Sequence, residues 1–93
     1  MPVKHFPGKN IGKIMLYALS TCVWCKKTKQ LLSDLGVAYD CVDVDTLKGD
    51  EEIDTLKNLA LWNKSGSFPT MVIGDKKCII GFKEDEIREA LNL

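Results

Sequence analysis

The chain contains one histidine, His5, and one Cys-x-x-C pair, Cys22 and Cys25. A structural zinc site needs about four ligands, so this donor set gives one little to build on. Neither charge is in excess, since 13 basic and 13 acidic residues cancel over 93 residues. That balance removes the usual reason to expect a nucleic-acid or membrane-surface partner. No stretch approaches the ~18 apolar residues of a membrane-spanning helix. The opening MPVKHFPGKN has no apolar run of the kind a signal peptide carries. The expected location is therefore the cytosol (cytoplasmic), where stable structural disulfides are unusual. In that setting a close cysteine pair points to redox catalysis or to a metal.

What is present reads as one small domain, with 45% hydrophobic residues to form its core. Residues 1–12 hold two prolines and two glycines and are expected to be a weakly structured lead-in, with at most a little extended structure, to a domain over 13–93. KIMLYAL (13–19) is short, apolar and bounded by turn-formers, which predicts a buried strand. Ser20 and Thr21 are good capping types, so a helix is expected from Cys22, with Thr28, Leu31, Leu32 and Leu35 on its buried face. Gly36 stands where a left-handed helix end belongs. VAYDCVDVD (37–45) alternates as a second strand. Asp50 is expected to cap a second helix that buries Ile53, Leu56, Leu59 and Ala60. TMVIG and KCIIG predict two strands joined around Gly74 and Asp75. A last helix follows, with Ile87, Ala90 and Leu91 inward. The order is βαβαββα, an α/β arrangement.

A strand running into C-x-x-C at a helix start has chemical meaning. Disulfide exchange is carried by the thiolate, and free N–H groups with the helix dipole favour negative charge at that end. Cys22 would present its sulfur outward, and Cys25, a neighbour three positions on, would lie buried beneath it. The expected reaction is attack by Cys22 on a disulfide, followed by attack of Cys25 on Cys22. Lys26, Lys27 and Lys29 add positive field, although such a run is usually a solvated face. From the residues alone, a metal- or iron–sulfur-cluster carrier using Cys22 remains the alternative.

TCVWCKKTKQLL after IMLYALS, followed by SFPT and IIGF, resembles the glutaredoxin family. The resemblance spans residues 13–93. It implies a thioredoxin-like fold: a four-stranded mixed sheet, ordered second, first, third, fourth, flanked by three helices. It also implies a cis Pro69 beside Cys22, with the backbone of Phe68 pairing with substrate. Leu19, Ser67-Phe68-Pro69 and Ile80-Gly81-Phe82 depart from the pattern of glutathione-dependent members. Cys22-Val23-x-Cys25 and Gly81-Phe82 are nearer to the glutaredoxin-like redoxins that donate electrons to ribonucleotide reductase. The implied partners are a disulfide-containing protein, such as ribonucleotide reductase, and a thioredoxin-reductase-type enzyme or a small thiol as reductant. No bound cofactor or metal is implied, and a monomer is expected.

The remaining candidates are weighed residue by residue. Val23, Trp24, Phe68, Pro69, Gly81 and Phe82 are expected to shape the substrate groove, although each aromatic could instead be core. Thr21 and Lys26 are supporting residues, Thr21 by default as a helix cap. Trp62 is expected to pack. Cys41 and Cys78 fall on strands three spacings apart, about 14 Å. That exceeds the ~7 Å limit between bridged Cα atoms, so both read as small apolar residues.

Overall fold

The computed structural model describes residues 3–74 and 76–92. Its elements are β1 (Lys4–Phe6), β2 (Ile14–Ala18), α1 (Val23–Leu35), β3 (Tyr39–Asp43), α2 (Gly49–Trp62), β4 (Thr70–Ile73), β5 (Lys77–Ile80) and α3 (Glu84–Leu91). A short 3₁₀ turn, Val44–Thr46, precedes α2.

The strands form one mixed sheet in the order β1-β3-β2-β4-β5. β2 and β3 are parallel, so the chain between them must cross over, and α1 is that crossover. β4 is antiparallel to β2, and β5 is antiparallel to β4. This is the α/β thioredoxin fold that the resemblance implies, with the expected order in the four strands β3-β2-β4-β5 and one strand more, β1, on the outer side of β3.

The extra strand is the extended structure within residues 1–12, and it joins the sheet rather than standing apart as a loose lead-in. Lys4–Phe6 pairs antiparallel with β3. Phe6 stacks on Tyr39 with ring centroids 4.8 Å apart, and His5 Nδ1 lies 2.7 Å from Asp40 Oδ1. The Lys9 N–H donates to Gly36 O, and the Ala38 N–H donates to Lys9 O. Gly8 has to be glycine here: a Cβ would stand 2.6 Å from the backbone carbon of Val37. Three residues carry too little pattern to announce a strand, and their partner lies more than thirty positions along the chain.

Period-two alternation splits the sheet's side chains between two cores. On one face Ile14, Leu16, Ala18, Tyr39 and Cys41 pack under α1 and α3 with Leu31, Leu32, Ile87 and Leu91. On the other, Tyr17, Val42, Val44 and Val72 pack with Leu59 of α2, and Trp62 joins them. Ile87 is fully covered, and burial on that scale stabilises by about 1.5–3 kcal/mol per side chain. Gly36 ends α1 with φ 69°, and its cap N–H groups reach Leu32 O and Ser33 O.

Two helix expectations need correction. Lys48, not Asp50, precedes α2 as its N-cap residue, and Asp50 falls inside the first turn. Ile53 and Leu56 are about half exposed, and Ala60 is also exposed, so of the four residues expected inward only Leu59 is buried. The helix leans on the sheet by its C-terminal end, near Leu59 and Trp62. In the β4–β5 turn, Gly74 has φ 61°, and Asp75 lies outside the described residues.

Candidate active site

β2 ends at Ala18, and the chain needs only Leu19–Thr21 to reach α1. Asp45 pins this link: its carboxylate accepts the Ser20 N–H at 2.9 Å and the Ser20 hydroxyl at 2.5 Å. These two bonds hold the Asp45 carboxyl below its ordinary value. Cys22, rather than Ser20 or Thr21, is the N-cap. Its Sγ accepts the Cys25 N–H at 3.2 Å, which occupies one of the free donors of the helix start. The Lys26 N–H closes the first helical turn onto Cys22 O at 3.1 Å. The first turn of α1 contains no acidic residue, so the dipole's positive end acts on sulfur without a competing carboxylate.

The two cysteines differ in environment. Cys22 is partly exposed, whereas Cys25 is fully covered. Burial first, and then its hydrogen bond with Cys22, push the Cys25 thiol up to about 12. Cys25 is therefore a neutral thiol at neutral pH.

The Phe68–Pro69 peptide is cis, as the resemblance implies. Pro69 is buried, and its carbonyl accepts the Gly81 N–H at 2.8 Å, tying this loop to the turn after β5. Trp24, Phe68, Gly81, Phe82 and Lys83 line an open cavity of about 340 Å³. Trp24 is 55% exposed and also stacks on Phe82, centroids 6.1 Å apart. The Lys27 ammonium sits 4.6 Å from the Trp24 ring centroid, a cation–π placement. Of the expected groove residues, the fold thus gathers Trp24, Phe68, Gly81 and Phe82, while Pro69 is buried and bonded to Gly81 rather than part of the lining. Val23 points into solvent at 62% exposure and is not part of the cavity lining. Thr21 is an exposed turn residue and not the cap, and Lys26 lines a different cavity, on the β1 side of α1.

One contributor escapes the sequence, and the setting of another, Lys29, differs from the solvated face it was expected to share. Asn63, just past α2, is buried, and its amide donates to Ser67 O, Ser67 Oγ and Thr70 Oγ1. Its carbonyl oxygen accepts from the Ser65 N–H and hydroxyl. This hub shapes the loop that delivers Pro69; the serines at 65 and 67 after a helix-ending asparagine were the available signal. Lys29 is half-buried, and its Nζ is 2.9 Å from Asp43 Oδ1.

Cys41 and Cys78 lie on β3 and β5, with β2 and β4 between them. Cys41 is buried, its thiol pushed up to about 11 by burial, and β1 covers the side of β3 that was expected to be an edge. Among the described residues, no group of three or more His, Cys, Asp or Glu is placed to hold a metal ion. No helix among them is long and apolar enough to cross a membrane.

A sulfur at an open helix start, with a second thiol one turn below it, is built to make and break a disulfide. On this fold it places the chain among the thiol–disulfide oxidoreductases. The chain belongs to the glutaredoxin family, whose model matches residues 14–79. It is similar to the crystal structure of the glutaredoxin from Methanosarcina mazei Go1, with 53% identity, 100% of this chain and 90% of that one covered, and a TM-score of 0.92. It is also similar to Methanosarcina acetivorans methanoredoxin, with 53% identity, 92% and 90% covered, and a TM-score of 0.89. The glutaredoxin-like protein NrdH-redoxin from Escherichia coli, 24% identical over 83% of this chain and 92% of that one at a TM-score of 0.62, shares the fold.

Proposed function

We propose that this chain is a dithiol disulfide reductase in which Cys22 is the nucleophile and Cys25 the resolving thiol. One observation carries the assignment: the partly exposed Cys22 Sγ receives the Cys25 N–H at an acid-free helix start, directly above the buried Cys25. The Cys22 thiolate attacks one sulfur of the target disulfide. A Cys22–target bond forms, the target's own S–S bond breaks, and the released target thiolate takes a proton. Cys25 then loses its proton and attacks Cys22 Sγ. The Cys22–Cys25 disulfide forms, the second target sulfur leaves as a thiol, and two electrons have passed to the target.

Exposed aromatic surface at Trp24, beside Phe68 and Phe82, suits a protein disulfide as substrate. Ribonucleotide reductase is the partner suggested by Cys22-Val23-x-Cys25 and Gly81-Phe82, and the cytosol is the compartment in which this chemistry would run. Reducing equivalents come from a thioredoxin-reductase-type enzyme or a small thiol. Leu19, which packs into the second core, supplies no cation for a carboxylate of glutathione.

The test follows reduction of the oxidised protein by glutathione, by thioredoxin reductase with NADPH, and by other small thiols in parallel. Turnover of a model protein disulfide is expected with at least one non-glutathione donor. Turnover with glutathione alone would contradict the electron source. Failure of a Cys25→Ser variant to trap a mixed disulfide would contradict the two-step route.

A further inference from the structure

Resolution asks a fully buried thiol to become an anion. In the dithiol form Cys22 itself opposes this, through its hydrogen bond and its charge. Both effects vanish once Cys22 is tied up in a mixed disulfide. What then still opposes the anion is burial, and what favours it is a backbone hydrogen bond from Leu19 and the charge of Lys29.

Lys29 is built into that position. It follows Cys25 by four residues, so the two share a helix face, and helical side chains lean back toward the N-terminus. Its ammonium is held 2.9 Å from Asp43 Oδ1. Asp43 pairs in register with Ala18, the last residue of β2, so the salt bridge draws the ammonium to the end of the sheet from which the cysteine loop departs. Burial is the largest single influence on Lys29 and disfavours its charge. The bond to Asp43, together with the negative charge that Cys41, Asp43 and Cys25 can carry, outweighs it, so its pKa is raised and the ammonium stays protonated. The same side chain lines an open cavity of about 370 Å³ with Lys26, Gln30 and Tyr39. Its other titratable neighbours are Cys41 and Tyr39 on β3, both raised first of all by burial and so neutral at neutral pH. Lys4 lies within electrostatic reach of Cys41. Asp45, just past β3, also lies within electrostatic reach of Lys29. Asp43 is the anion bonded to Lys29, and among the described residues Lys29 is the cation whose charge acts on Cys25.

We propose that Lys29, oriented by Asp43, is a positioning residue for the resolving step, stabilising the Cys25 thiolate as it attacks Cys22. The inference rests on the two-step reading above. The step itself is unchanged: Cys25–SH and Cys22–S–S–target give Cys22–S–S–Cys25 and target–SH.

The experiment separates the two half-reactions in the full chain. Formation of the mixed disulfide with a chromogenic aromatic disulfide is timed in the Cys25→Ser background, and its resolution is timed in single turnover with Cys25 present. Lys29→Met should leave the first step within twofold. It should displace the pH profile of resolution by about one unit to the alkaline side. A tenfold loss of thiolate, partly offset by the higher nucleophilicity of a more basic thiolate, slows resolution about threefold at neutral pH. At high pH the deficit should close, which a misfolded variant would not show. Lys29→Arg should restore the profile, and Asp43→Asn should reproduce part of the shift. An unshifted profile in Lys29→Met, or equal slowing of both steps, overturns the role of Lys29. Absence of any mixed disulfide in Cys25→Ser overturns instead the reading on which it rests.

Discussion

The N-termini of α1 and α2 use the same dipole for opposite ends. α2 opens with Asp50, Glu51 and Glu52 in its first turn, and α3 repeats the device with Glu84, Asp85 and Glu86. Their charges satisfy the helix starts and add stability. α1 has Val23, Trp24 and Cys25 in those places, no acid among them, and a sulfur as its cap. The helix proposed to carry the chemistry thus forgoes a stabilisation that α2 and α3 take, and leaves its positive end to Cys22. The difference teaches that a missing carboxylate can be as much a part of a site as a residue that is present.

The comparison breaks most sharply at the sulfur. Cys22→Ser should lower disulfide reduction by about 100-fold or more, because a serine hydroxyl is not ionised at neutral pH and needs a base to act as a nucleophile. The same variant should keep its fold, since serine is a better cap than cysteine. Residual turnover above a few per cent would show that another thiol attacks. Val23→Asp brings the α2 arrangement to α1. An acid in the first turn should add roughly 0.3–1 kcal/mol to the helix while disfavouring negative charge on the adjacent sulfur. Thermal unfolding should rise as thiol alkylation at Cys22 slows about three- to tenfold. A gain in both quantities would refute the trade-off. The reverse change, Glu51→Gln with Glu52→Gln in α2, should cost about 0.3–1 kcal/mol per charge at low salt and leave turnover unaltered.

The smallest effect concerns the Asp45 anchor. Its carboxyl is held below the ordinary 3.8 by the two Ser20 bonds. A lowered pKa contributes stability that is present above the unfolded value and fades as pH falls through the folded one. Asp45→Asn should therefore unfold slightly earlier than the parent at neutral pH, and the gap should close below about pH 4. A gap that widened in acid would assign the anchor to another group.

The features legible beforehand were those with a local cause. Leu31 and Leu32 at helical spacing, Gly36 in a left-handed end, and a strand running into Cys22 each declare themselves within a few residues. Features that depend on a distant partner stayed hidden. β1 exists only because β3 offers it a ladder. Lys29 reads as a surface lysine until Asp43 arrives from another strand, and Asn63 reads as loop until Ser65, Ser67 and Thr70 close around it. The inward face of α2 was misread for a different reason. Periodicity marks an apolar stripe, but Ile53 and Leu56 have no sheet beneath them, and only the end near Leu59 reaches the core.

The bond from the Cys25 N–H to Cys22 Sγ makes one backbone proton a gauge of the site. A thiolate accepts that bond strongly, and a sulfur engaged in a disulfide accepts it weakly. The Cys25 amide resonance should therefore move upfield and exchange faster with solvent when the pair is oxidised. Titrating that single signal by NMR against a glutathione or dithiothreitol buffer would read the reduction potential without a substrate, a dye or a coupled enzyme.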